Sequence, residues 1–429
     1  MDRPDDEQPF GDPADAMRAF LGQMGAMMRS QDPWDAASQM AAGIANEGHT
    51  EPNLDPSDRM ALENLARVAE LQVADHTGAA FTHPVRIEAM NRTQWSKRFL
   101  VDQRPLLEGI AESLGHGLAA QLGQLDDLGP EELADMPGLG SVPPAMLRQL
   151  MSMMGPMMLS IMAGSTAGHL AARAFGHYEL PLPRPAAEPL TVVLSNVDGF
   201  ARDWSLSTDD IRMWVSLSDV AHHQVLCRTH VRDALTDSIG EYTRGFSSDP
   251  EEMERQSRDL GLDEAFTEMG GDMAALQNLA GDPDRLLGVM QSDRQRQVMP
   301  RIHTVVAVVE GWVDHVLDEI GSSLLADYSM VTEALRRRRV EAGPETRFVE
   351  RLFGLELSQD TFDRGSAFVK GIVERADAAA LEVLWSEPGN LPTPSELDAP
   401  GLWMARVGIA ARDLEIDGDL EIPDTFDFE

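Results

Sequence analysis

A single cysteine, Cys227, in 429 residues rules out an internal disulfide and the bracing that small secreted domains draw from one. Cations are scarce too: 35 Lys and Arg stand against 72 Asp and Glu, a formal charge of −37. Such a balance repels nucleic acid and anionic lipid surfaces, so no nucleic-acid partner is expected. No basic start runs into an apolar stretch, so no secretory leader is predicted and the expected location is the cytoplasm. No Gly-rich phosphate loop follows a strand, and Gly-x-Ser-x-Gly is absent. Nucleotide-binding, dinucleotide and serine-hydrolase chemistries therefore lack their residues. The uncharged run Leu150–Gly168 approaches the length of a membrane span. Its central Pro156 and its Gly, Ser and Thr lower its hydrophobicity, and His169 and Arg173 continue the same helical pattern. The expectation is a buried helix packed closely through small residues, with no membrane as partner.

What the chain does have is helical periodicity, with 43% hydrophobic residues to build a core. Residues 1–56 are rich in Asp, Pro, Gly, Gln and Met and read as a disordered tail. Within it, Ala16–Arg29 forms a short Met-rich amphipathic segment fit to dock on the body or a partner. One helical domain is expected over 57–400. Its first helix starts at Ser57 and runs to about Ala74, with Leu62, Leu65, Val68, Ala69 and Leu71 on the buried side. Two helices are predicted around Pro105. Leu190–Leu194 is the one convincing strand. Residues 246–294, acidic and broken by Gly and Pro, suggest an insertion or lid. The helix from Arg301 to about Leu325 gathers Ile302, Val305, Val306, Val309, Val313, Val316 and Ile320 on one face, with His303, Glu310 and Asp314 at its edge. Arg336–Arg339 reads as a local ion-pairing cluster at a helix end. A last amphipathic helix spans 361–386, and 401–429 is an acidic tail. The predicted fold is mainly α, with at most a small vestigial β-sheet and disordered acidic termini.

Chemistry concentrates on Thr208–Leu235, which carries three of the eleven histidines and the lone cysteine on one predicted helix reaching about Gly245. At about 100° per residue, Asp219, His223, Cys227 and His230 fall along one side, with Ser218 and His222 beside them. Spread over about 16 Å of a straight helix, these four cannot all reach one ion; only adjacent pairs can serve.

The register Ser218-Asp219-Val220-Ala221-His222 resembles a decayed His-Glu-x-x-His. With GSTAGHLAARAFGHYELPLPRP (164–185), SNVDGFARDW (195–204) and VVEGWVDHV (308–316), it makes the chain similar to the actinobacterial zincin-like metallopeptidase family over roughly 57–400. The resemblance implies a helical zincin-like fold and zinc-dependent peptide hydrolysis. In an intact site two histidines one turn apart bind zinc, the intervening glutamate polarises the metal-bound water, and a later acidic residue completes the shell. On this likeness His222 holds the second-histidine position and Glu310 the distal acidic one, both as metal ligands. Ser218 stands where the first histidine belongs. Asp219 takes the place of the catalytic base, its carboxylate set back by about 1.5 Å. His223, His303 and Asp314, with His230, are the side chains available as substitute ligands. Two functions follow: a metallopeptidase-like hydrolase with a decayed site, or a catalytically inactive zincin-fold module that binds a protein or peptide partner. Zinc is expected to be absent or below one per chain. The helices bearing His222 and Glu310 are expected to pack together, since such groups are costly to bury unless they meet.

Overall fold

The computed structural model describes residues 32–113, 144–184, 189–246, 291–341 and 343–410, with the backbone only over 144–158. Helix α1 (Pro33–Ala45) starts where the Asp32 side chain accepts from the Trp34 amide and proline fills an early position with no donor to lose. Helix α2 (Pro56–Thr77) is capped in the same way by Asp55 and ends at Gly78, whose φ of 66° suits glycine. Strand β1 (Ile87–Met90) leads into α3 (Arg92–Asp102), whose start carries a reciprocal Asn91/Gln94 capping box. Then come α4 (Pro144–Arg173), β2 (Leu190–Val193), α5 (Leu194–Asp203), α6 (Thr208–Leu226) and α7 (Thr229–Thr243). The second half holds α8 (Asp293–Leu324), α9 (Tyr328–Val340), α10 (Pro344–Leu352), α11 (Gln359–Arg375), α12 (Pro394–Leu397) and α13 (Pro400–Val407).

The protein is mainly helical, as expected. Among the described residues its sheet is two parallel strands, paired from Ile87 opposite Leu190 to Met90 opposite Val193. β2 lies where the β-branched run predicts it. β1 was not foreseen, because Ile-Glu-Ala-Met is too short to show a period and owes its conformation to its neighbour. No helix among the described residues is long and apolar enough to cross a membrane.

Several expectations are corrected. The tail expected over 1–56 contains α1, which packs on α4 through Ala37, Ala41 and Ala45, all buried and spaced by four. The approach is close: a Cβ on Gly168 would stand 2.7 Å from Ile44 Cβ and 3.0 Å from the Ala41 carbonyl oxygen. Small residues, poor in the apolar mass that composition registers, thus make a tight helix pair, as anticipated for the α4 side of the contact. On α2, Val68 and Leu71 are exposed at 37% and 69%, while Leu62, Ala66, Ala69 and Val73 face inward. The body also continues past 400, since α13 buries Trp403. Residues 16–29, 247–290 and 411–429 lie outside the described residues, and with them the Met-rich segment, most of the acidic insertion and most of the acidic tail.

At the middle of the body α8 crosses α11 with backbone against backbone. A Cβ on Gly365 would fall on the Ala307 carbonyl and one on Gly311 on the Gly365 peptide, so both positions need glycine for space. Replacing Gly168 by valine is expected to push α1 off α4 at a cost of about 1–3 kcal/mol. A lower melting temperature and new protease cleavage between α1 and α2 are the expected readouts; an unchanged digestion pattern would refute the packing.

Candidate active site

Helix α6 is anchored before it becomes chemically interesting. Ser207 caps its start, and Arg212 binds Asp198 of α5 and Asp58 of α2. From Val215 to Leu226 it is buried on most sides, so its polar residues must find partners within the protein. His222 and Glu310 do so with each other, Nε2 to Oε1 at 3.2 Å, joining α6 to α8. The other imidazole nitrogen, Nδ1, lies 2.8 Å from the Ser218 carbonyl oxygen. Carbonyl and carboxylate oxygens are both acceptors, so the ring is suited to carrying a proton on each nitrogen. Burial disfavours that charged form, but the Glu310 charge and hydrogen bond outweigh it and raise the His222 pKa above its ordinary value. Burial likewise works against the Glu310 carboxylate, and His222 and Arg339 more than offset it, leaving its pKa lowered.

Arg339 completes the chain of charges. Its Nη1 donates to Glu310 Oε2 at 3.2 Å and its Nη2 to both Asp314 oxygens at 3.0 and 2.9 Å. The guanidinium rests 4.2 Å from the centroid of the Phe362 ring. On the other side of His222, the Tyr178 ring stacks at 5.5 Å and 17°, and its hydroxyl meets His223 Nδ1 at 3.1 Å.

Asp219 turns to the backbone. Its two oxygens accept from the amides of His177 and Tyr178 at 2.8 and 3.1 Å. Gly176 lies so close that a Cβ there would overlap the carboxylate. Burial pushes the Asp219 pKa up to about 7 despite these bonds.

Around this chain lies a cavity of about 80 Å³ whose wall includes Trp214, His222, Arg338, Arg339 and Glu350. Glu179 sits between Arg338 at 2.9 Å and Arg173 at 3.3 Å, and Arg338 covers the Phe175 ring at 3.6 Å. The arginine run is thus the ion-pairing cluster expected, with Arg336 and Arg337 bonded to Asp318 and Glu333.

The structure brings His222 and Glu310 together and places Asp314 one guanidinium away. It does not bring in the other candidates. Ser218 Oγ lies 3.5 Å from His222 Nδ1, on the side away from Glu310. His223 is engaged by Tyr178, and His303, about two turns before Glu310 on α8, faces Glu356 at 3.6 Å. The predicted single helix to Gly245 breaks after Leu226, and Cys227 caps α6 while His230 sits in α7, so the stripe Asp219, His223, Cys227, His230 is interrupted. Arg339 and Tyr178 were not foreseen as site residues; Arg339 was legible only as one of four arginines, and Tyr178 only as part of the quoted HYEL stretch.

Zinc bonds of about 2.0–2.2 Å place tetrahedral ligand atoms roughly 3.3–3.6 Å apart, and the His222–Glu310 pair, at 3.2 Å, comes near that spacing. A third ligand does not. Among the described residues no group of three or more His, Cys, Asp or Glu is placed to hold a metal ion. The Asp219 oxygens serve backbone amides, and those of Asp314 serve Arg339. Among the described residues the side chains do not make a three-ligand zinc centre.

Glu350, on the cavity wall, offers a test by pH. Burial raises its pKa to about 7, so the folded protein binds a proton there that the unfolded chain releases above its ordinary value of 4.5. Its contribution is therefore least costly at low pH and becomes more destabilising as pH rises towards 7, then levels off. Glu350→Gln is expected to raise stability at pH 8 more than at pH 5, by on the order of 2 kcal/mol. Equal melting shifts at the two pH values would show that Glu350 does not titrate this way.

The zincin-like metallopeptidase family model matches residues 33–404, from the first residue of α1 almost to the end of α13. Among solved structures, one described as "Crystal structure of a putative hydrolase with a novel fold from Chloroflexus aurantiacus" aligns with a TM-score of 0.55 and 20% identity. The alignment covers 87% of this chain and 98% of that one, a likeness of fold. A comparison with curated proteins gave no match. With a family match over nearly the whole described body, the chain belongs to the zincin-like metallopeptidase family.

Proposed function

We propose that this chain is a zincin-like protein with a decayed metal centre, which carries out no zinc-dependent hydrolysis and acts by binding a protein or peptide partner. One observation carries this: the Glu310 carboxylate is shared between His222 and Arg339, so the side chain a metal would need as its acidic ligand already has both oxygens engaged. Two further features support it. Ser218 offers a neutral hydroxyl where a histidine would be needed, and Asp219 is committed to the amides of 177 and 178, away from the position a general base must take. Metal affinity falls steeply with ligand number, and even changes in the groups that orient ligands typically cost about 10- to 100-fold. The family membership and the hydrolase description of the structural relative speak for a hydrolytic origin of the scaffold. The metallopeptidase alternative draws on the His222–Glu310 spacing, which is close to that of two ligands on one ion.

The deciding experiment measures zinc per chain on purified protein and peptide cleavage by the same sample. Well below one zinc per chain and no cleavage that depends on His222 are expected. His222→Ala and Glu310→Gln should instead lower thermal stability, by about 3–5 kcal/mol where one partner of a buried pair is removed. One zinc per chain, with casein or peptide cleavage abolished by His222→Ala, would restore the enzyme.

A further inference from the structure

Beside the Asp219 clamp lies a small cavity of about 10 Å³ whose polar lining is His177, Arg184 and Gln103 and whose apolar lining includes Trp95, Phe99 and Leu170. His177 and Arg184 are each 6% exposed, Gln103 5%. His177 Nε2 and Arg184 Nη1 are both buried, and neither reaches a hydrogen-bonding group among the described residues. Two buried polar atoms of this kind on one small cavity are rare, because each forfeits its hydration on folding. We infer that a single water molecule is bound between His177, Arg184 and Gln103 and is a structural member of the site's scaffold.

Size and chemistry select the ligand. A cavity needs roughly 10–15 Å³ to hold one water, and buried waters make about three hydrogen bonds. Carboxylates and phosphates are too large. The water accepts from Arg184 Nη1 and pairs with His177 Nε2, and Gln103, which also lines the cavity, is available as a third partner. It fits either tautomer of His177, whose Nδ1 meets Thr191 Oγ1 at 3.1 Å, since water both donates and accepts. A halide only accepts, and would require the proton on Nε2.

The placement gives the water a role beyond filling space. The backbone N–H of His177 is one of the two that hold Asp219, and Arg184 binds Asp102 at the end of α3. The water therefore ties the segment that clamps Asp219 to α3.

A high-resolution crystal structure of the full chain, with a second data set from a bromide-soaked crystal, tests this. The expected result is one isolated density peak within hydrogen-bonding distance of both Arg184 Nη1 and His177 Nε2, with no anomalous signal after the soak. A bromide signal at that position would overturn the assignment in favour of an anion. Featureless density there, or His177 and Arg184 rearranged into direct bonds with protein groups, would also overturn it.

Discussion

The Glu310 carboxylate is the charge on which the centre of this molecule depends. It is buried beneath three helices, where an unpartnered carboxylate would be prohibitively unstable. His222 from α6 takes one oxygen and Arg339 from α9 takes the other. Each partner is held in turn, His222 by the Ser218 carbonyl and the Tyr178 ring, Arg339 by Asp314 and the Phe362 ring. Such a network is unforgiving: with every member paired it fixes one arrangement of the helices, and with one removed it leaves a charge stranded in low dielectric.

The precision of that network is set by packing next to it. Gly311 follows Glu310 directly and lies against Gly365 of α11, where neither position has room for a Cβ. Because the two backbones meet there, Phe362, one turn earlier on α11, comes beneath the Arg339 guanidinium. The glycine in the Glu-Gly-Trp stretch thus serves the carboxylate beside it. Aromatic contacts extend the same contact zone, with Trp312 of α8 meeting Trp385 edge to face at 5.9 Å.

Much of this was legible. Long apolar periods announced the helices, β-branched Leu190–Leu194 announced β2, and the motif placed His222 and Glu310 on helices that do meet. What escaped had physical reasons. α1 is built from alanines and depends on Gly164 and Gly168 more than a hundred residues away, so its own composition looks like a tail. Side-chain type and position say nothing of which way the Asp219 carboxylate turns; two backbone amides from a loop about forty residues earlier hold it. The break after Leu226 carries no proline or glycine, and helical spacing runs through it unchanged. Arg339 could not be singled out among four arginines, because only the position of α9 beside α8 tells which of them meets Glu310.

The residues around this carboxylate differ in what their loss would cost. Glu310 and Arg339 are interlocked, and removing either takes one charged partner from the other in a buried place. His222 is similarly placed, between an acceptor on its own helix and one across the interface. Ser218 is different. It is only partly buried, and its backbone carbonyl, which any residue would supply, is what supports His222. A hydroxyl there can be hydrated where a buried one would need a protein partner, so Ser218 leaves no stranded group. Position 218 is thus one that the folded protein can alter with little loss of stability, while His222, Glu310 and Arg339 hold three helices together.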